Sequence, residues 1–233
     1  MAALSLYTGL GLIIIISLTS SVDIDFYTGT IHLPTALTRG CMTTISDGTI
    51  YNFGGIYTDD DSLSYSDTIL TYNPSTSTTF EELDNITTPN TLYCLQNTVY
   101  STTTGLIYIL GSNSRSNAKN YVFDPSISQF VDTSSLSLTS DDYFHSSCVA
   151  IVESGDFNVI YIYGGVNEEY EKQSTLKIYD LDTNSFKDDI SDGPLAGSSS
   201  ACIAVDQYFF VFGGQMVENN ASTDYSDILR YEL

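Results

Sequence analysis

The sequence predicts an all-β chain, a β-propeller of four blades with four antiparallel strands in each. Three observations predict it. First, a strand of alternating β-branched and aromatic residues that ends in glycine recurs as Thr49–Gly55, Leu106–Ser112, Val159–Gly165 and Tyr208–Gly214. Second, a cysteine precedes each copy, at 41, 94, 148 and 202. Third, an aromatic followed by an acid or amide comes after each: Tyr72-Asn73, Phe123-Asp124, Tyr179-Asp180 and Tyr231-Glu232. The first glycines stand at 54, 111, 164 and 213, a repeat of roughly 50 residues. Helical periodicity is absent from residue 40 onward. A sheet of four short strands cannot bury both faces alone. Stacking such sheets face to face around an axis buries them.

Each module then reads in order. Strand A carries the cysteine, strand B ends in the glycines, and strand C ends in the aromatic and its acid or amide. Strand D carries a phenylalanine: Phe80, Phe130 or Phe186. The modules span about 40–90, 91–143, 144–197 and 198–233. The last has no D strand of its own. Segment 22–33 holds Ile24-Asp25-Phe26-Tyr27, with Phe26 placed before Cys41 much as each D phenylalanine stands before the next cysteine. It is expected to complete the last blade beside strand C, which would remove an exposed edge. A shortened or partial ring is the alternative.

Ahead of this single domain, 22–233, residues 1–21 carry no charged side chain. A short apolar run, Leu10–Leu18, is followed by Thr19 and Ser21 at positions suited to cleavage before Val22. The run is shorter than the ~20 residues of a membrane span, so a secretory signal peptide is expected. An uncleaved N-terminal anchor is the alternative, because no Lys or Arg precedes the run. A secreted or lumenal location follows.

With 42% hydrophobic residues the chain has enough for a packed core. Its 29 acids against 7 bases give a net charge of −22. That argues against nucleic acid and anionic membranes as partners, since both require clustered cations. A basic partner, a divalent cation or simple solubility fit the charge.

These motifs resemble the kelch repeat, best in His145-Ser146-Ser147-Cys148 through Tyr179-Asp180 and Phe186. The resemblance covers residues 24–233 and rests on landmarks that keep register in four copies. It departs from the family pattern in having no tryptophan and in Gly111-Ser112 replacing the double glycine of the second repeat. It implies a protein-binding role for the face that carries the B–C and D–A loops.

That face carries the long connections: B–C loops at 56–67, 112–120, 166–174 and 215–226, and D–A loops at 82–92, 132–145 and 188–199. Long loops on a rigid scaffold are the usual place for recognition. The candidate binding residues are Tyr57, Asp59, Asp60, Asp61, Arg115, Asn167, Glu168, Glu169 and Tyr170. An unidentified protein partner is expected. A glycan stacked on the tyrosines, or Ca²⁺ held by the carboxylates, is the alternative ligand. The Asp59–Asp61 run lacks the glycine and closing glutamate of an EF-hand loop. Tyr65-Ser66-Asp67 and its echo Tyr225-Ser226-Asp227 are expected to be turns held by side-chain bonds to the backbone. Asn85-Ile86-Thr87 and Asn220-Ala221-Ser222 are N-glycosylation sequons.

The four cysteines occupy equivalent positions near the axis. Buried free thiols are favoured, with disulfides left open because bridging needs Cα atoms within about 7 Å. No catalytic set is legible. His32 and His145 have no partner at metal-ligand spacing, no metal or cofactor is implied, and no phosphate-cradling glycine loop is present. A carboxylate pair for glycoside hydrolysis stays open, because spacing across blades cannot be read from sequence. The expectation is a non-catalytic binding scaffold. A lectin or small carbohydrate-active enzyme on the same face is the alternative.

Overall fold

In the computed structural model, four antiparallel sheets are arranged as a four-bladed β-propeller. Blade one is β1 (Cys41–Thr44), β2 (Ile50–Asp59), β3 (Ser62–Tyr72) and β4 (Glu81–Glu82). Blade two is β5 (Thr98–Tyr100), β6 (Ile107–Ser112), β7 (Lys119–Asp124) and β8 (Gln129–Val131). Blade three is β9 (Cys148–Ser154), β10 (Phe157–Tyr163), β11 (Gln173–Asp180) and β12 (Ser185–Phe186). After β13 (Asp192–Ser198), blade four holds β14 (Ala201–Val205), β15 (Tyr208–Phe212) and β18 (Ile228–Glu232), with β16 (Gln215–Glu218) and β17 (Ala221–Asp224) between the last two.

The described residues are 37, 39–59, 62–88, 92, 94, 97–112, 119–133, 146–154, 157–167, 171–187, 192–205, 208–218, 221–224 and 228–232. All belong to the unit Leu33–Leu233. The expected leader 1–21 and closing strand 22–33 lie outside them.

The repeating residues have visible jobs. In blades one to three the aromatic that ends strand C packs on the D-strand phenylalanine: Tyr72 on Phe80 at 5.3 Å, Phe123 on Phe130 at 5.2 Å, and Tyr179 on Phe186 at 5.2 Å. The acid or amide after it closes the C–D turn. Asn73 Oδ1 accepts from the Ser75 N–H, Asp124 Oδ1 from Ser126, and Asp180 Oδ1 from Asp182 and Thr183. The Asp180 carboxyl also pairs with Lys187 at 3.1 Å. Partial desolvation works against its ionisation, but the Thr183 and Lys187 contacts prevail and hold its pKa below the usual range.

The core lies between blades. Cys41, Phe53 and Ile69 pack against Leu92, Cys94 and Phe123 across the first junction. Tyr108, Leu110 and Val122 meet Val149, Ile160 and Tyr179 across the second. Cys148, Tyr163 and Leu176 meet Phe209 and Val211 across the third. Each strand-B aromatic leans on strand C of the next blade: Phe53 on Phe123, Tyr108 on Tyr179, and Tyr163 on Tyr231. Alternation along the strands thus buries both faces of the inner sheets, as stacked blades require.

Two expectations need correction. The cysteines are bridged, not free: Cys41 to Cys94 with Cα atoms 4.8 Å apart, and Cys148 to Cys202 at 5.7 Å. Both distances meet the bridging limit. Nor are the four positions equivalent. Cys41 and Cys148 begin β1 and β9, Cys202 is the second residue of β14, and Cys94 precedes β5 by several residues. That offset carries Cys94 back toward blade one, where its N–H bonds the Arg39 carbonyl at 2.7 Å.

Much of 56–67, 188–199 and 215–226, expected to be loop, is also strand. Segment 56–67 extends β2 and β3 into a hairpin arm, paired from Ile56↔Tyr65 out to Asp59↔Ser62. Tyr65–Asp67 is therefore strand, not turn, although Ser66 Oγ does accept the Thr68 N–H, at 3.2 Å. Within 188–199 and 215–226, β13 pairs with the outer part of β11 and with β16, and β16 pairs with β17. Segments 188–199 and 215–226 are polar, the first with two glycines and a proline, and neither has an apolar alternation to advertise a strand. Backbone pairing to neighbours makes them strands. Pro194 sits where the β11–β13 register shifts, the kind of position a strand proline tolerates.

On the opposite face, Glu153 at the end of β9 clasps the A–B turn of blade two. Its carboxylate accepts from Ser101 Oγ and Thr102 Oγ1, both at 2.5 Å, and from the N–H groups of Thr102 at 2.8 Å and Thr103 at 3.0 Å. Desolvation pushes its pKa up, but these four bonds outweigh it and the net shift is downward. A depressed folded-state pKa stabilises above the unfolded value and is lost as pH falls through the folded value. Glu153→Gln should therefore cost about 1–2 kcal/mol at pH 7. Thermal unfolding should show the gap between wild type and variant narrowing as pH falls below the ordinary glutamate range. A gap independent of pH contradicts the clasp.

Candidate binding face

The B–C and D–A connections share one face, and glycine pairs at the ends of the B strands shape it. Gly54, Gly164 and Gly213 have φ values of 60°, 66° and 57°. Such a backbone favours glycine. The turn brings a linker in close: the Gly55 N–H bonds the Leu92 carbonyl and the Gly165 N–H the Gly197 carbonyl, both at 2.8 Å. In blades one and three the glycine signature is thus an inter-blade contact that fixes where the D–A linker runs. In blade two, which lacks the second glycine, the Asn120 side chain takes the Gly111 N–H at 2.8 Å.

Three structures stand on this face. The first is the β2–β3 arm of blade one. Tyr57 sits in it, half-buried and opposite Ser64. Asp59 ends β2 opposite Ser62, while Asp60 and Asp61 lie outside the described residues. Leu63 and Tyr65 on β3 are 73% and 47% exposed. The second is a tight loop of blade three, closed by the Val166↔Lys172 bridge. There Asn167 binds Glu171 three ways: its N–H to the Glu171 carbonyl at 3.0 Å, its Nδ2 to Oε2 at 3.1 Å, and its Oδ1 from the Glu171 N–H at 2.8 Å. Glu168, Glu169 and Tyr170 lie outside the described residues, as do Arg115, His32 and His145. The third is the β16–β17 hairpin. Lys172 faces its Asp224, and burial lowers the Lys172 pKa while the carboxylate opposes that shift.

The structure therefore joins Asn167 to Glu171 and brings Lys172 within electrostatic reach of Asp224, but it places Tyr57 on blade one, away from the blade-three loop. Asn85 is exposed in the D–A linker of blade one, in left-handed conformation at φ 62°. Asn220 lies outside the described residues. Among the described residues no group of three or more His, Cys, Asp or Glu is placed to hold a metal ion.

No protein-family model matches the chain, and no curated protein matches it.

The site is therefore read from its own residues. Cys148 is bridged, so it supplies no thiolate. What the described face offers is shape and an exposed apolar edge on a stiff ribbon. Sequence reasoning missed Leu63. The signal was there: Leu63 and Tyr65 alternate with serines in a stretch that otherwise reads as a polar loop.

Proposed function

We propose that this chain is a secreted or lumenal kelch-type propeller that acts as a non-catalytic protein-binding scaffold through its B–C/D–A face. The observation that carries this reading is the β2–β3 arm, which holds Leu63 and Tyr65 in water on the end of a rigid blade. Exposed large apolar side chains on a paired ribbon suit contact with another protein. A β-propeller with its connections gathered on one face is consistent with such a scaffold. The two disulfides are compatible with an oxidising compartment. Among the described residues no helix is long and apolar enough to cross a membrane. Exposure of Asn85 is compatible with N-glycosylation there.

The test is cross-linking capture with the full chain and with a Leu63→Ser/Tyr65→Ser variant. A specific captured band should fall at least about tenfold in the variant. Undiminished capture points to another surface. The exposed aromatic Tyr65 also suits a sugar ring, so a lectin is the second reading. Binding on a glycan array that is lost with Tyr65→Ser would favour it over a protein partner.

A further inference from the structure

We infer that the outer strand of the β2–β3 arm recognises a cationic, apolar-striped segment of a partner protein, through the strip Leu63–Tyr65–Asp67. This rests on the reading of the face as a protein-binding surface and specifies its partner.

Side chains two apart on a strand project to the same side. Leu63 and Tyr65 follow this spacing on β3 and both are exposed, while Ser66 is buried; Asp67, also exposed, stands at the base of the arm where the β2–β3 register shifts. One side of the arm therefore presents leucine and tyrosine, and the bulge at its base adds an exposed carboxylate. The ribbon beneath is held by continuous pairing from Ile56↔Tyr65 to Asp59↔Ser62. It is anchored at its base where the Thr88 N–H bonds the Asp67 carbonyl at 2.8 Å. The strip is thus preorganised, which lowers the ordering cost of binding.

Charge selects the occupant. Among the described residues no cation pairs with the Asp67 carboxylate, and the chain carries −22 overall. A second copy brings the same negative charge, so self-docking is opposed. Nucleic acid and anionic lipid are opposed likewise. A segment with apolar side chains at alternate positions and lysine or arginine beside them satisfies both halves of the strip. It buries Leu63 and Tyr65, and it pairs Asp67 in a setting partly shielded from water.

The probe is a fluorescein-labelled peptide alternating leucine and lysine, read by anisotropy against the full chain. Peptides alternating serine with lysine, and leucine with glutamate, are the controls. The expected result is saturable binding of the Leu/Lys peptide alone. It should weaken at least about tenfold with Leu63→Ser/Tyr65→Ser and also with Asp67→Lys, and it should weaken with added salt. Equal binding of the Ser/Lys peptide would show bulk charge attraction only and would overturn the inference. So would Leu/Lys binding that survives both variants. Because the three side chains are exposed, both variants should unfold at nearly the wild-type temperature. A variant that does not is replaced by the single change Leu63→Ser, read in the same assay. If cross-linking capture still depends on Leu63 and Tyr65 while the Leu/Lys peptide fails, the docking face stands and the cationic partner falls. If capture is also independent of them, the face itself is wrong.

Discussion

Replacing Cys41 and Cys94 together by serine should lower the unfolding temperature by roughly 8–16 °C. The bridge closes a chain segment of 53 residues. Restricting a loop of that length in the unfolded state stabilises the native state by about 4 kcal/mol on the chain-entropy account. The Cys148–Cys202 bridge spans 54 residues, so its removal should cost a similar amount. Neither loss should be offset by loosening a strained fold, because the backbone at each bridge is already tied by hydrogen bonds. The Cys94 N–H bonds the Arg39 carbonyl, and the Ser199 N–H bonds the Ser146 carbonyl, each at 2.7 Å. Both accepting residues have positive φ, 56° at Arg39 and 58° at Ser146, and each stands two residues before its cysteine. The staple between blades one and two is thus built again between blades three and four. Peptide mapping without reductant should recover Cys41 linked to Cys94 and Cys148 linked to Cys202. Free thiols or crossed pairs would sink the assignment. The two double variants lie at separate junctions, so their effects should add.

That pairing also shows what lies between the two stapled halves. Described cysteines do not bridge blade two to blade three. Their junction relies on the Tyr108–Tyr179 core and on the Glu153 clasp. The sequence shows one module repeated four times. The structure shows a repeat that alternates, with covalent junctions first and third and a hydrophobic and hydrogen-bonded one between them.

The four-module plan was legible because its landmarks are local. A strand ending in Gly-Gly, an aromatic before an Asx turn, and a phenylalanine shortly after need only a few residues each. Contacts such as Tyr72 on Phe80 lie within one blade, where spacing along the chain approximates spacing in space. The disulfides were not legible. Equal spacing of the cysteines suggested equivalent positions, but Cys202 stands one residue into β14 and Cys94 lies ahead of β5. Strands β13, β16 and β17 escaped for another reason. Asp192–Ser198 carries two glycines and a proline and has almost no β propensity, so its extended state comes from neighbours on both sides. The same limit hid half of the candidate site. Acidic and tyrosine-rich stretches drew attention to Tyr57 and Asn167, but Asn167 mainly closes its own loop on Glu171. The alternation at Leu63 and Tyr65 was present in the sequence, but it gained weight once the arm was seen as a paired ribbon.

Gly164→Ala should destabilise the propeller by about 2–4 kcal/mol, far beyond an ordinary glycine-to-alanine change. Two costs combine. Gly164 has φ 66°, where an L side chain is strained by about 1 kcal/mol. An added Cβ would also run into the Gly197 carbonyl oxygen of β13 and come within 3.3 Å of the Gln173 carbonyl oxygen. Both obstacles are backbone, so no side chain can turn aside. Gly197 is fixed from the other direction, since its carbonyl takes the Gly165 N–H and its residue pairs with Met216 on β16. Relief would require moving the strand that links blade three to blade four. Gly105→Ala provides the control. Gly105 has φ 72°, but nothing lies within 4 Å of the position its Cβ would take. That variant should lose only the conformational part, about 1 kcal/mol. Equilibrium urea unfolding of both variants separates the terms. Equal losses would mean that the recurrent glycines serve backbone conformation alone. A larger loss at Gly164 means that they set the distance of closest approach between a blade and the linker to the next, and so the position of everything mounted on that face.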